Sequence, residues 1–176
     1  MNVEPIARAK EEQIRFQTFE SAFAWDAQGN ELLAKDGGRS GVLIAPQEFA
    51  LLKDAIFTHN HPDGLRYGSI DPRSAGNSFS EADIEFAMSN DLAEIRVVTP
   101  KLRFALRRPP SGWNSSYWMF TVKPEFEEAR KKVRAENTTA YLRGETTPEQ
   151  AQASHWHKIW LLVSRHFGWD YQREEN

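Results

Sequence analysis

The chain has 176 residues, of which 40% are hydrophobic and 12% aromatic, and its formal net charge at pH 7 is −3. This length and composition suit one folded domain with a small appendage, and they exclude a chain that is disordered throughout. The acidic balance argues against a dedicated nucleic-acid-binding protein, which usually carries a basic excess. The sequence has no cysteine, which excludes disulfides and thiolate metal sites, so any metal ion must be held by His, Asp or Glu.

The N-terminal sequence and the apolar runs bear on location. Residues 1–16 alternate charged with small apolar residues and lack the apolar core of a secretory signal peptide. No apolar run approaches the roughly 20 residues that would span a membrane. We therefore expect a cytoplasmic protein with no membrane partner. A phage-associated location, or delivery as an effector, would leave no trace in this pattern.

The N-terminal half predicts one helix followed by strands. Pro5 suits a first helical turn, which predicts a charged helix over residues 6–16. From Glu20 the larger side chains alternate with small ones, the turn Gln28-Gly29-Asn30 follows, and the run 31–34 returns, which predicts a β-hairpin that begins at Glu20. Further predicted elements are a turn at 36–38, a short buried strand at 41–44, a helix from Pro46 with Phe49, Leu51 and Leu52 on its inner side, and a strand at 55–58.

The C-terminal half predicts a long loop, two strands and three helices. Residues 63–79 contain three glycines, a proline and several serines, which is typical of an exposed loop. After it we predict a helix from Ser80 to about residue 91, strands at 94–99 and 103–107, an aromatic cluster at 113–120, a helix at 124–141 and another from Thr147. The last helix carries apolar residues at helical spacing, namely Trp156, Ile159, Trp160, Val163 and Phe167.

Together these elements predict an α+β (α/β-like) fold. A mixed sheet with flanking helices would occupy residues 1–108 and form the metal-binding domain. Residues 109–176 would form an aromatic linker and a helical hairpin packed on that domain.

Two histidines stand two residues apart at the end of the strand predicted at 55–58. Side chains at i and i+2 leave the same face of a strand, so His59 and His61 should project together while Asn60 points away. Asp83 follows Ser80 at the start of the next helix. Two imidazoles and one carboxylate form a three-ligand site with an open fourth position, as a catalytic zinc requires. Taken singly, each motif can also be explained by a structural role without a metal ion, since strand-end histidines are often buried or hydrogen-bonded and Ser-x-x-Asp is an ordinary helix cap.

These residues resemble the zinc signature of the JAB/MPN (JAMM) metallopeptidases, in which a strand glutamate precedes His-x-His-Pro and Ser-x-x-Asp follows. Here the corresponding residues are Glu20, the run 59–62 and the run 80–83. The motifs Thr-His-Asn-His-Pro and Phe-Ser-x-x-Asp-Ile most resemble those of the bacterial branch that includes RadC-like proteins and JAB-type toxin domains. Residues 20–171 also resemble the C-terminal portions of phage minor head (Mu F-like) proteins and polymorphic toxins.

The resemblance implies a role for each residue. His59, His61 and Asp83 would hold Zn²⁺. Ser80 would orient or stabilise the oxyanion, and Glu20 would carry a proton from the attacking water to the leaving amine.

Other parts of the sequence leave alternatives open. Glu31 and Glu48 compete with Glu20 for the role of catalytic glutamate. The 17 residues between Pro62 and Ser80 exceed the family spacing, and that loop would border the cleft as a flap or as a blocking segment. His155 and His157 lie two apart on a predicted helix, about 200° apart around its axis, so they cannot both face one metal ion.

The expected function is zinc-dependent hydrolysis of a peptide or isopeptide bond in a protein or peptide substrate, in a phage-related or toxin/effector setting. One alternative is a non-catalytic module of phage assembly that retains the fold and binds a phage-particle or effector partner. Another is a metal-dependent nuclease toxin, against which the acidic chain counts.

Overall fold

The computed structural model describes residues 3–113 and 117–176, and residues 114–116 of the predicted aromatic linker lie outside the described part. The strands are β1 (Ser21–Trp25), β2 (Glu31–Asp36), β3 (Ile56–Asn60), β4 (Glu94–Val98), β5 (Leu102–Arg107) and β6 (Tyr171–Glu175). The helices are α1 (Glu4–Ile14), α2 (Glu81–Ser89), α3 (Lys123–Leu142) and α4 (Pro148–Phe167). The strands form one sheet in the order β2-β1-β3-β4-β5-β6. Among these described strands, β3 and β4 pair in parallel and the other neighbours pair antiparallel. The predicted α+β class is confirmed.

The two faces of the sheet carry different helices because strand side chains alternate. On β3, Phe57 packs against Phe86 of α2, with ring centroids 5.1 Å apart. The next side chain, Thr58, faces the other way and donates a hydrogen bond to Glu11 of α1 at 3.2 Å. The α2 face also receives α4 and holds the larger apolar core. His59 therefore lies on the α2 face.

The α1 face is held by a buried ionic cluster around Arg96 of β4. Its guanidinium forms ion pairs with Glu4 at 2.7 Å, Glu11 at 2.6 Å and Glu94 at 2.9 Å. Arg103 of β5 adds a second ion pair to Glu11 at 3.0 Å. A buried charge is tolerated when such partners compensate it. This cluster fixes α1 on the side of the sheet away from the histidines.

Most predicted elements agree with the structure within about two residues. The β1–β2 hairpin, α2 and the strands β4 and β5 lie where they were predicted. The two C-terminal helices are joined by residues 143–147 and form the predicted hairpin. Thr147 caps α4 by accepting a hydrogen bond from the Gln150 backbone, and Gly168 ends that helix in a left-handed conformation with φ 67°.

The strand predicted at 41–44 is wrong. Residues 41–45 are irregular, and β2 forms the edge of the sheet. The Gly38 N–H donates to the Gly41 carbonyl at 2.9 Å, which turns the chain away from that edge. Val42 and Ile44 still pack against the core, whereas Leu43 is 86% exposed.

The helix predicted from Pro46 is a short 3₁₀ segment, Pro46–Leu51. Its inner side was wrongly predicted, since Phe49 and Leu51 are exposed and only Leu52 is buried. A six-residue 3₁₀ segment has three residues per turn, so it cannot present the apolar stripe expected of an α-helix.

The long loop is less exposed than predicted. It contains two 3₁₀ turns, Pro62–Arg66 and Pro72–Ala75. Ser74, Ser78 and Phe79 are buried. Lys101 ties the loop to the end of the sheet by donating to the Ser69 carbonyl at 3.0 Å and to the Ser74 hydroxyl at 2.7 Å. The loop is therefore packed against the sheet over much of its length, although Ile70 is 98% exposed.

Strand β6 was not predicted. It pairs antiparallel with β5, and Tyr171 lies opposite Leu106. The division of the chain at residue 108 stays a prediction. The segment after that point nevertheless supplies one strand to the sheet that the preceding segment begins.

Membrane-spanning helices are not found in the described part of the chain, where every helix is too short or too polar to cross a bilayer. The cytoplasmic location stays a prediction.

Candidate metal centre

The two histidines are presented by the central part of the sheet. His59 pairs with Ala22 of β1 on one side and with Val97 of β4 on the other, and its side chain is only 6% exposed. His61 follows directly after β3, and its backbone N–H donates to the Val98 carbonyl at 2.9 Å. The sheet therefore fixes both residues on the α2 face, as the i and i+2 spacing predicts.

Asp83 is placed by the cap of α2. The Ser80 hydroxyl accepts a hydrogen bond from the Asp83 backbone at 3.2 Å, and the Asp83 carboxylate accepts one from the Ser80 backbone at 2.6 Å. This reciprocal capping box satisfies two N–H groups that the first helical turn leaves open. The cap and the candidate ligand are therefore the same feature, and the two readings of Ser-x-x-Asp do not exclude each other.

The three side chains converge on one point. Nε2 of His59 lies 3.2 Å from Oδ1 of Asp83, and Nε2 of His61 lies 3.5 Å from Oδ2. The two Nε2 atoms are 3.1 Å apart. Ligands arranged tetrahedrally at about 2.0–2.1 Å from zinc would stand about 3.3 Å from one another. Among the described residues these three form the one such cluster that could hold a metal ion.

The hydrogen bonding of His61 shows that the donor set fits a cation. Its Nδ1 donates to the backbone carbonyl of Asn77 at 3.2 Å, so in the neutral ring Nε2 carries a lone pair. That lone pair faces Nε2 of His59 and the carboxylate of Asp83. Electron-rich atoms at these separations repel one another unless a proton or a metal ion lies between them. A backbone carbonyl on the outer ring nitrogen is also the usual support for a metal-binding histidine.

His59 lacks the corresponding support. Its Nδ1 is buried and has no hydrogen-bond partner among the described residues. The orientation of this ring is set instead by packing against Phe57, with ring centroids 5.8 Å apart, and by its position in the central strand.

The electrostatics of the cluster agree with its geometry. Burial alone would raise the pKa of Asp83, but His59 and His61 outweigh it and hold that pKa well below the usual 3.8. Burial alone would lower the pKa of His61, but Asp83 and Glu20 outweigh it and raise that pKa above 6.5. A proton and a metal ion thus compete for the same place, and metal binding would release protons.

Glu20 lies beside the cluster. Extending the β1–β3 register, in which Ala22 faces His59, by two residues places Glu20 next to His61. Its backbone is held by two hydrogen bonds, from the Glu20 N–H to the Gly38 carbonyl at 2.7 Å and from the Gly37 N–H to the Glu20 carbonyl at 2.8 Å. Burial raises the pKa of Glu20, although the two histidines partly offset the increase. A carboxylate with a raised pKa is better suited to move protons near neutral pH.

Asn60 holds this glutamate from the other face of the sheet. Its side chain accepts a hydrogen bond from the Ser21 N–H at 2.6 Å and donates one to the Phe19 carbonyl at 2.9 Å. These are the backbone groups on either side of Glu20. The strand spacing predicts that Asn60 faces away from the histidines but indicates no role for it, because its partners lie 39 and 41 residues away.

The Ser80 hydroxyl can act as a hydrogen-bond donor in addition to its role as the helix cap. Its oxygen accepts the capping bond from Asp83, and among the described residues its hydroxyl hydrogen has no acceptor, so it can be donated to another molecule. Ser80 lines the same cavity as Glu20 and the three converging side chains. This hydroxyl could therefore donate to an oxygen atom of a bound molecule.

A cavity of about 400 Å³ adjoins the cluster. Its polar lining residues are Glu20, Ser40, His59, His61, Asp63, Asn77, Ser78, Ser80 and Asp83. Its apolar lining residues, together called the apolar side of the cavity, are Ala22, Val42, Ile44, Phe57, Pro62, Ala82, Phe86, Ile95 and Trp156.

The alternative glutamates lie away from this cavity. Glu31 is exposed at the start of β2. Glu48 accepts hydrogen bonds from Lys35 at 2.6 Å and from the Ala45 N–H at 2.7 Å. Neither lines the cavity, so Glu20 is the glutamate that the fold brings to the cluster.

Each of the three remaining histidines contacts a neighbouring side chain and is not part of the cluster. His157 forms a hydrogen bond with the Tyr171 hydroxyl at 2.9 Å, and His155 packs against Trp156 with ring centroids 5.8 Å apart. His166 lies near Glu125, at 3.6 Å.

No protein-family model matches the chain, and comparisons with curated proteins and with solved structures give no match. The roles of the site residues therefore rest on the geometry and chemistry described above and on the resemblance of the motifs.

Proposed function

We propose that the chain is a zinc-dependent hydrolase that cleaves peptide or isopeptide bonds. The observation that carries this proposal is the convergence of His59, His61 and Asp83 beside the half-buried Glu20 in one cavity. Two imidazoles and one carboxylate suit zinc and leave a position open for chemistry. The resemblance of the same residues to the JAB/MPN metallopeptidase signature supports the same reaction.

Each residue of the site has a separate role in the proposed hydrolysis. A zinc ion held by His59, His61 and Asp83 would act as a Lewis acid and would lower the pKa of a bound water molecule to about 7. The Glu20 carboxylate accepts a proton from the attacking water and delivers it to the leaving amine, acting first as base and then as acid. The Ser80 hydroxyl donates to the carbonyl oxygen as negative charge develops there.

The test compares hydrolysis of internally quenched peptides and of a lysine-linked isopeptide by the wild-type protein and by Glu20→Gln, with Glu31→Gln as the matched control. We expect Glu20→Gln to retain its zinc and to lose about 10²-fold or more in kcat. Glu31→Gln should keep full activity, because this exposed side chain does not line the cavity. Equal activity of Glu20→Gln and the wild type would overturn the proposal, and so would a zinc-loaded wild type that cleaves neither substrate class.

A non-catalytic role in phage or effector assembly is the second candidate function. The observation in its favour is the exposed apolar side chains near both ends of α3. Met119 and Phe120 are 54% and 81% exposed, and Tyr141 and Leu142 are 56% and 78% exposed. Under this alternative, Phe120→Ser would abolish binding to a particle component, whereas Glu20→Gln would leave that binding intact.

The nuclease alternative has less support in the cavity. Among the described residues that line it, none is Lys or Arg. A nucleic-acid backbone is normally held by such cations. Cleavage of DNA or RNA by the purified protein would nevertheless decide in favour of a nuclease.

A further inference from the structure

We infer that the apolar side of the cavity is a substrate subsite, which takes an uncharged apolar side chain next to an internal amide bond and excludes a free carboxylate. This inference rests on the proposed hydrolase function and names the substrate class.

The cavity wall consists of apolar side chains that do not fill the space between them. Val42 and Ile44 come from the irregular segment after β2, Phe86 from α2 and Trp156 from α4, and all four are half-buried. They therefore pack against the core with one side and present apolar surface to the cavity with the other. A volume of about 400 Å³ lies within the usual range of ligand sites, which combine apolar walls with a few polar groups.

The charges around the cavity determine what else it can accept. The ionisable lining residues are the carboxylates Glu20, Asp63 and Asp83 together with His59 and His61. Among the described lining residues no Lys or Arg is present. In the metal-free protein, a substrate carboxylate entering here would meet three carboxylates and no Lys or Arg among the described lining residues, and one hydrogen bond from Ser80 would not offset the repulsion and the lost hydration. The cavity therefore disfavours a terminal carboxylate and favours an internal amide.

The same cavity also disfavours a basic side chain at the apolar wall. Burying an ammonium group against Phe86 and Trp156 would remove hydration that contact with the aromatic rings replaces only in part. Asp63, the most exposed of the lining carboxylates, is paired with Arg66 at 3.3 Å. An apolar side chain has no charge to desolvate in that position, and removing its surface from water is favourable.

Binding to the metal-free protein tests the subsite without depending on catalysis. The full chain, treated with EDTA, would be titrated with N-acetyl-phenylalaninamide and with N-acetyl-phenylalanine while the methyl signals of Val42, Ile44 and Leu43 are followed by NMR. We expect the uncharged amide to bind at least tenfold more tightly than the carboxylate and to shift the signals of Val42 and Ile44. The signals of the outward-facing Leu43 should not move. Equal binding of the two probes, or shifts confined to Leu43, would overturn the inference.

Neighbouring residues offer a matched pair of variants. Val42→Lys places a cation in the cavity, whereas Leu43→Lys places one on the surface, where Leu43 is 86% exposed. We expect Val42→Lys to reverse the preference for the amide probe and Leu43→Lys to preserve it. If Val42→Lys fails to fold, the titration of the wild-type protein still decides the question.

A peptide panel separates this inference from the proposed function. Peptides with Phe, Leu, Asp or Lys on either side of one internal amide would be compared in kcat/KM with the zinc-loaded protein. We expect Phe and Leu at one of the two positions to exceed Asp and Lys by at least tenfold. Hydrolysis without such a preference would overturn the subsite and leave the proposed function intact. Tight binding of the amide probe without hydrolysis of any peptide would support the subsite and overturn the hydrolase.

Discussion

The side-chain amide of Asn60 spans the backbone on both sides of Glu20. It accepts a hydrogen bond from the Ser21 N–H at 2.6 Å and donates one to the Phe19 carbonyl at 2.9 Å, and it is fully buried. Asn60 itself lies between His59 of β3 and His61, which follows β3, and both histidines project to the other face of the sheet. A run of three residues thus presents two candidate ligands and also fixes the start of the strand that carries the candidate catalytic carboxylate.

Replacing Asn60 tests this positioning role. Asn60→Ala leaves the Ser21 N–H and the Phe19 carbonyl without partners, which should lower the free energy of unfolding by about 1–3 kcal/mol. Where the variant folds, we expect it to bind zinc as the wild type does while its kcat falls more than its KM rises. The control is Asn137→Ala, which removes a half-buried side-chain hydrogen bond between α3 and Lys158, away from the cavity. Unchanged stability and kcat in Asn60→Ala would contradict this role.

Substitutions of Ser80 separate its capping role from its catalytic role. Ser80→Ala should cost about 1 kcal/mol of stability through the lost cap, whereas Ser80→Gly should cost only a few tenths of a kcal/mol. Both variants lose the hydroxyl donor, so both should lose about 10²–10³-fold in kcat. Ser80→Thr keeps the donor and the cap and should retain most activity. If kcat follows stability across the three variants, Ser80 acts only as a cap.

Gly76 determines where the Asn77 carbonyl lies. Its φ is +82°, and a Cβ at this position would lie 2.6 Å from Cβ of Thr99. Gly76→Ala should therefore displace the adjacent Asn77, whose carbonyl orients His61, and weaken zinc binding by about 10–100-fold.

The control for this substitution is Gly68→Ala in the same loop, where a Cβ would meet nothing within 4 Å. Zinc affinity would be measured for both variants by competition with a chelator. Equal affinities would show that the loop does not support the site.

Acid should weaken the attachment of α1. Burial alone would raise the pKa of Glu4, but Arg96 and Arg8 outweigh it and lower that pKa from 4.5 to about 2. Because the pKa of Glu4 is lower in the folded protein than in the unfolded chain, the ionised carboxylate stabilises the folded state at pH values above 4.5. That stabilisation is lost as the pH falls from 4.5 towards 2.

Denaturant unfolding at a series of pH values measures this contribution. We expect the free energy of unfolding of Glu4→Gln to vary less steeply with pH between 4.5 and 2 than that of the wild type. The exposed Glu31→Gln should keep the wild-type slope. Identical slopes for the wild type and Glu4→Gln would show that protonation of Glu4 beside Arg96 does not change the free energy of unfolding in this pH range.

Local patterns in the sequence predicted the parts of the site that depend on local geometry. The two-residue period of a strand places His59 and His61 on one face, and the capping pattern places Asp83 at the start of α2. The convergence of these two element ends followed from the resemblance as much as from the spacing. The roles of Asn60 and of the Asn77 carbonyl could not be predicted, because their partners are distant in sequence or belong to the backbone.

The errors in the fold have similar causes. Strand β6 carries the sequence Tyr-Gln-Arg-Glu-Glu, whose polar residues suit an exposed edge strand and give no alternating apolar signal. The apolar run at 41–44 is short, and such runs are ambiguous without tertiary context. Here Val42 and Ile44 are apolar because they line the cavity and pack on the core, although they belong to no strand.

Metal content measures the central claim most directly. Elemental analysis of untagged protein would compare the wild type with His59→Ala and Asp83→Asn, which keeps a capping oxygen, and with the control His155→Ala. We predict about one zinc per chain in the wild type and in the control, as expected for a single three-ligand site, and loss of zinc in the other two variants without unfolding. A wild-type protein that binds no zinc when zinc is supplied, or a His59→Ala variant that keeps it, would contradict the account.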